Sequence, residues 1–154
     1  MKIDKKHNVD LILLADDDVD DRMFFASAIQ ELCSHTKLVT VNDGETVIKW
    51  LNTTEKLPDI IFLDMNMPCK NGAECLAEIK QKERLKNIPV VIISTSLDED
   101  MIKSLYESGA KWYIKKPSMF AHLKILIAKA IELVSTVNTT TPTLEKFLLT
   151  VANK

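Results

Sequence analysis

Five short apolar runs recur along the chain, each followed by a longer stretch that is apolar on one side only. The runs cover residues 11–15, 38–41, 60–63, 90–93 and 112–114. The first, third and fourth are apolar throughout rather than alternating, the pattern of parallel strands covered on both faces. Pro58 and Pro89 stand just before two of them, where a missing N–H is tolerated. The intervening segments read as helices. Residues 20–33 place Phe24, Phe25, Ala28, Ile29 and Leu32 on one face, and residues 73–83 do the same with Leu76, Ala77 and Ile79. Residues 98–108 end at Gly109, a natural helix stop, and 123–134 form the last strong helix. Strand and helix in strict alternation predict an α/β fold: five βα units, right-handed crossovers, and a parallel sheet between two helix layers.

Composition narrows the chemistry. The chain has 154 residues and a net charge of -2, enough for one domain with a real core and no basic face for nucleic acid. Gly44, Gly72 and Gly109 are the only glycines and lie far apart, so no glycine-rich loop cradles a nucleotide phosphate. Cys33, Cys69 and Cys75 form no CxxC pair, and His7, His35 and His122 are scattered, which argues for reduced thiols and against zinc. No run approaches the roughly 18 residues of a membrane span, and the N-terminus lacks an apolar leader. The expectation is a cytoplasmic protein without membrane insertion.

In an open parallel sheet the working groups lie beyond the carboxyl ends of the strands. Asp16, Asp17, Asp18, Asp20 and Asp21 cluster after the first run, and Asp64-Met65-Asn66-Met67-Pro68 follows the third. Ser94-Thr95-Ser96 follows the fourth, and Lys115-Lys116-Pro117 the fifth. Asp20 and Asp21 are explained by a helix start, which favours carboxylates. Asp16 and Asp17 come directly at the strand end, where paired carboxylates need a cation, and oxygen ligands favour Mg2+ or Mn2+. Met65 and Met67 read as packing residues. Each segment alone has a bland explanation. Their occurrence at four strand ends on one edge does not.

The segments LILLADDDVDDR, DIIFLDMNMPCKNG, IPVVIISTS and GAKWYIKKP, in this order, resemble the receiver domains of two-component response regulators. The resemblance spans most of residues 9–135 and implies a flavodoxin-like doubly wound sheet with strand order 2-1-3-4-5. It implies that Asp64 is the phosphoacceptor, served by a histidine kinase or phosphotransfer protein. Asp16, Asp17 and the Asn66 backbone carbonyl would join Asp64 in holding Mg2+, with Arg22 fixing the acidic pair as 16–17. Ser94 and Lys116 would contact the acyl phosphate, and a cis bond is expected at Lys116–Pro117. Tyr113 matches the aromatic position that, with Ser94, switches the surface of the fourth helix, fifth strand and fifth helix. Asn66 and Ser96 stand where relatives tune self-dephosphorylation. Pro117 is followed by Ser118-Met119-Phe120 rather than directly by Phe, a departure from the usual pattern.

The receiver is expected over residues 8–136, with 137–154 as a linker and a short amphipathic helix carrying Leu144, Phe147, Leu148 and Val151. That helix is expected to dock on its own domain. About 20 residues after the pattern are too few for a DNA-binding module, so the expected output is protein binding by a single-domain regulator that is not an enzyme. Two other readings stay open. A phosphatase of the haloacid dehalogenase type also uses an aspartate nucleophile and Mg2+, but it needs an acidic residue where Asn66 stands. A receiver-shaped binding module would work without phosphate. Cys69, in the loop after Asp64, reads as loop filler.

Overall fold

The computed structural model describes residues 2–3, 9–135 and 141–151. Its elements run β1 (Leu11–Ala15), α1 (Val19–Leu32), β2 (Lys37–Val41), α2 (Gly44–Thr53), β3 (Ile60–Asp64), α3 (Gly72–Gln81), β4 (Val90–Ser94), α4 (Glu99–Glu107), β5 (Trp112–Lys115) and α5 (Phe120–Ser135). The alternation and all five strands match the expectation. Every residue of β1, β3 and β4 is buried, as continuous apolar runs require. Alternation along these strands feeds two cores. Ile12, Leu14, Phe62 and Ile93 pack under α1 and α5, while Leu13, Ile61, Leu63 and Ile92 pack under the other helices.

The sheet order is β2-β1-β3-β4-β5-β6, parallel throughout. The order implied by the resemblance holds, but the sheet has six strands, not five. The sixth comes from the C-terminal segment. There the expected amphipathic helix is a single turn, α6 (Leu144–Phe147), which passes directly into β6 (Leu148–Leu149). Tyr113 and Ile114 of β5 face Leu148 and Leu149 in register. A helix this short cannot sustain itself, whereas the open edge of β5 offers backbone partners. Phe147 is fully buried, with its ring 5.3 Å from Tyr106 and 6.1 Å from Tyr113. The Tyr106 hydroxyl donates to the Pro142 carbonyl at 2.7 Å, and the Lys129 ammonium to the Thr150 carbonyl at 2.7 Å. The segment therefore docks on its own domain as expected, but as part of the sheet. Most of the expected linker, residues 138–140, lies outside the described residues.

Two helix faces differ from expectation. Phe24 is 54% exposed and tilts against Phe120 with ring centroids 6.5 Å apart. On α3 the inward residues are Cys75, Leu76 and Ile79, and Ala77 faces outward. No described helix is long and apolar enough to cross a membrane.

Candidate functional site

The carboxyl ends of β1, β3, β4 and β5 meet at one edge, and backbone bonds fix how each chain leaves its strand. Met65 N donates to Ile93 O at 3.2 Å, and Lys116 N to Ser94 O at 2.8 Å, so the exits of β3, β4 and β5 are tied in sequence. Gly72 opens α3 against the Asp64 carbonyl. A Cβ there would lie 2.7 Å from that oxygen, so only glycine lets the helix start so close to the strand end.

The acidic cluster divides by role. Asp18 is the N-cap of α1, accepting from Asp21 N at 3.0 Å. Asp16 is buried, and its carboxylate accepts from Asp18 N at 2.9 Å. Arg22 donates to the Asp16 carbonyl at 2.7 Å, which anchors the turn after β1. Asp16, Asp17 and Asp64 each bring a carboxylate oxygen within 4.8 Å of the others. Asp16 and Asp64 are buried, and Asp17 is exposed. Asn66, also exposed, donates its backbone N–H to Asp64 Oδ1 at 3.3 Å.

Lys116 reaches into this cluster from the end of β5. Its ammonium lies 2.9 Å from Asp21, 3.1 Å from Asp16 and 3.4 Å from Asp64. Asp21 is thus a site residue that the sequence reading assigned to the helix start alone. Acidic residues in a first helical turn are so readily explained by the helix dipole that nothing local marks this one. Its partner lies 95 positions away.

Burial, and next the field of Asp16, push the Asp64 carboxyl up to about 6, although Lys116 pulls the other way. Burial also raises Asp16. Burial pulls the Lys116 ammonium down, but the bond to Asp21 and the fields of Asp64 and Asp16 outweigh it and hold it above its ordinary value. Three carboxylates around one ammonium, with Asp17 beside Asp16 and Asp64, leave surplus negative charge, and the donors are all oxygen. That combination fits a hard divalent cation.

Ser94 is buried at the end of β4, and its Oγ accepts from Ser96 N at 3.1 Å. The Tyr113 ring is fully buried and its hydroxyl donates to the Ser96 carbonyl at 2.6 Å. Burial raises the Tyr113 hydroxyl, partly offset by a hydrogen bond with Ser94. Ser94, Ser96 and Tyr113 thus form one linked group. The expected cis bond at Lys116–Pro117 is absent: no described peptide bond is cis, and this one takes the intrinsically favoured trans form. Cys69, exposed in the loop after Asp64, adopts a positive φ of 70°.

Comparison with known proteins agrees with this geometry. The family model for the response regulator receiver domain matches residues 12–128. Response regulator Rcp1 of Synechocystis is 33% identical over 118 residues, covering 73% of this chain and 80% of Rcp1. A probable methanogenesis regulatory protein of Methanothrix harundinacea, FilR2, is 32% identical over 118 residues, covering 74% of this chain and 76% of its own. Among solved structures, the phosphorylated cyanobacterial phytochrome response regulator RcpA superposes with a TM-score of 0.75 at 35% identity, over 88% of this chain and all of that one. The Mn2+-bound form of Rcp1 gives 0.70 at 29% identity, over 87% and 99% of the two chains. Neither the phosphatase nor the phosphate-independent reading finds such support. A match across most of the chain, on the strand order that brings these four strand ends together, establishes that the chain belongs to the response regulator receiver domains of two-component systems.

Proposed function

We propose that Asp64 accepts a phosphoryl group from a histidine kinase or phosphotransfer protein and that this switches a protein-binding surface. The observation that carries the proposal is the Lys116 ammonium held between Asp64 and Asp16 at the meeting of the strand ends. An Asp64 oxygen attacks the phosphorus in line, the P–N bond to the donor imidazole breaks, and its electron pair stays on that nitrogen. The product is an acyl phosphate on Asp64. Asp16, Asp17, Asp64 and the Asn66 backbone carbonyl would hold Mg2+, with Mn2+ as a substitute. When bound, the ion neutralises charge on the phosphoryl oxygens. Phosphoryl transfer depends mainly on positioning and charge neutralisation, which is what this chain supplies.

Lys116 stabilises the transferred group from the side of β5. Ser94 turns its hydroxyl toward the new phosphate, which draws the β4–α4 loop inward and disturbs the Ser96–Tyr113 bond. Tyr113 then repositions and changes the surface of α4, β5 and α5. The acyl phosphate is lost by hydrolysis without a separate enzyme, at a rate that Asn66 and Ser96 tune. The receiver is assigned to residues 8–136 and its C-terminal extension to 137–154, working in the cytoplasm.

Incubation with acetyl phosphate and Mg2+, followed by intact mass measurement, tests this reading. A single phosphoryl adduct is expected in the wild type and none in Asp64→Asn or without Mg2+. Rapid turnover of many phosphoesters would favour a phosphatase, and no adduct would favour a phosphate-independent module. Candidate donors begin with phytochrome-type kinases, since RcpA is described as a phytochrome response regulator.

A further inference from the structure

Lys116 is shared unequally among three carboxylates. Its ammonium donates hydrogen bonds to Asp21 at 2.9 Å and to Asp16 at 3.1 Å. Asp64, 3.4 Å away, is the most distant of the three. The group on which the proposed chemistry occurs therefore has the loosest hold on the lysine. The two stronger holders also differ in what release would cost. The Asp16 side chain is 4% exposed, and leaving it unpaired would strand a buried charge. The Asp21 side chain is 40% exposed, so water can solvate it when the lysine leaves. Asp21 itself is fixed in the first turn of α1, its backbone N–H bonded to the Asp18 cap.

We propose that Asp21 is a positioning residue that draws the Lys116 ammonium away from Asp64 in the resting state and releases it when a phosphoryl group arrives. This deepens the reading of Asp64 as phosphoacceptor and rests on it. Each phosphorylation event exchanges the Lys116–Asp21 bond for a Lys116–phosphoryl bond. A cavity of about 350 Å³, lined by Asp21, Phe24, Lys116, Met119 and Phe120, borders the resting lysine between α1 and α5, so its neighbours do not clamp it from that side. The Asp21 carboxylate thereby sets how strongly the site resists being phosphorylated.

The test compares Asp21→Asn, Asp21→Glu and Asp20→Asn. Asp20 lies on the same turn, is exposed and makes no ion pair with Lys116 among the described residues, so its variant removes a nearby charge without freeing the lysine. Two quantities are read at saturating Mg2+. One is the rate of phosphorylation by acetyl phosphate, from intact mass. The other is the affinity for beryllofluoride, a stable phosphoryl mimic, from fluorine NMR. Asp21→Asn is expected to raise both by roughly fivefold, the upper end for a partly exposed ion pair. Asp21→Glu and Asp20→Asn should stay within about twofold of wild type on the same scale. Mg2+ affinity from calorimetry and the urea unfolding midpoint should barely move in Asp21→Asn, which a general structural role would not produce. Equal effects of Asp21→Asn and Asp20→Asn, or no rise in Asp21→Asn, would overturn the proposal while leaving Asp64 as acceptor. Absence of any wild-type adduct would overturn both.

Discussion

Asp64 is a carboxyl that burial and then the neighbouring Asp16 keep protonated to about pH 6. A metal ligand must be deprotonated, so Mg2+ held by Asp64 as proposed would compete with a proton there below that pH. Mg2+ affinity should rise with pH, by up to about tenfold per unit where one proton is displaced, and level off above about pH 7. Calorimetric titrations from pH 5 to 8 would show the slope, and Asp64→Asn should flatten it. Folding stability depends on the same proton. The native state holds this proton to a higher pH than the unfolded chain, whose carboxyl titrates near 3.8. Between about pH 4 and 6 the native state binds more protons, so the Asp64 contribution is present below that window and lost as pH rises through it. Without metal at pH 7, Asp64→Asn should therefore unfold at higher urea than wild type. Mg2+ should raise the wild-type midpoint and hardly change that of the variant.

Individual elements are held by close approaches as much as by burial. The start of α3 abuts the Asp64 carbonyl, and a Cβ at position 72 would need that strand end or the helix to shift. Gly72→Ala should cost about 1–3 kcal/mol in urea unfolding and slow phosphorylation, because the displaced group is the acceptor's own backbone. β1, β3 and β4 were legible in the sequence because burial on both faces forbids polar residues, which leaves an unbroken apolar run. The helix faces were less so. Phe24 is apolar at the correct spacing but points outward beside Phe120, and Ala77 is too small for periodicity to place it. At the site, Asp16, Asp17, Asp64 and Lys116 were legible because strand ends on one edge of a parallel sheet must meet. Asp21 was not, since a carboxylate in a first helical turn is already accounted for by the helix start and nothing local points to its bond with Lys116. The C-terminal strand was hidden for a related reason. Two residues carry no period, and what makes them a strand is the edge of β5.

Over the whole molecule, the C-terminal segment closes the sheet by placing Phe147 against Tyr106 and Tyr113. Phe147→Ala removes a fully buried ring and should cost about 3–5 kcal/mol in urea unfolding. The substitution also opens space beside the ring whose hydroxyl holds the Ser96 carbonyl. The other edge strand, β2, carries exposed Lys37 and Thr40 and is poorly adhesive. β5 is different: three of its four residues, Trp112, Tyr113 and Ile114, are buried, and without β6 its unpaired backbone would run along an apolar border. Two residues of β6 replace that border with an edge too short to template another chain. Ending the chain at residue 141 should therefore produce concentration-dependent aggregation, visible by light scattering, even where the remaining sheet still folds. Besides extending the sheet, β6 shields the apolar border of β5 from a second chain.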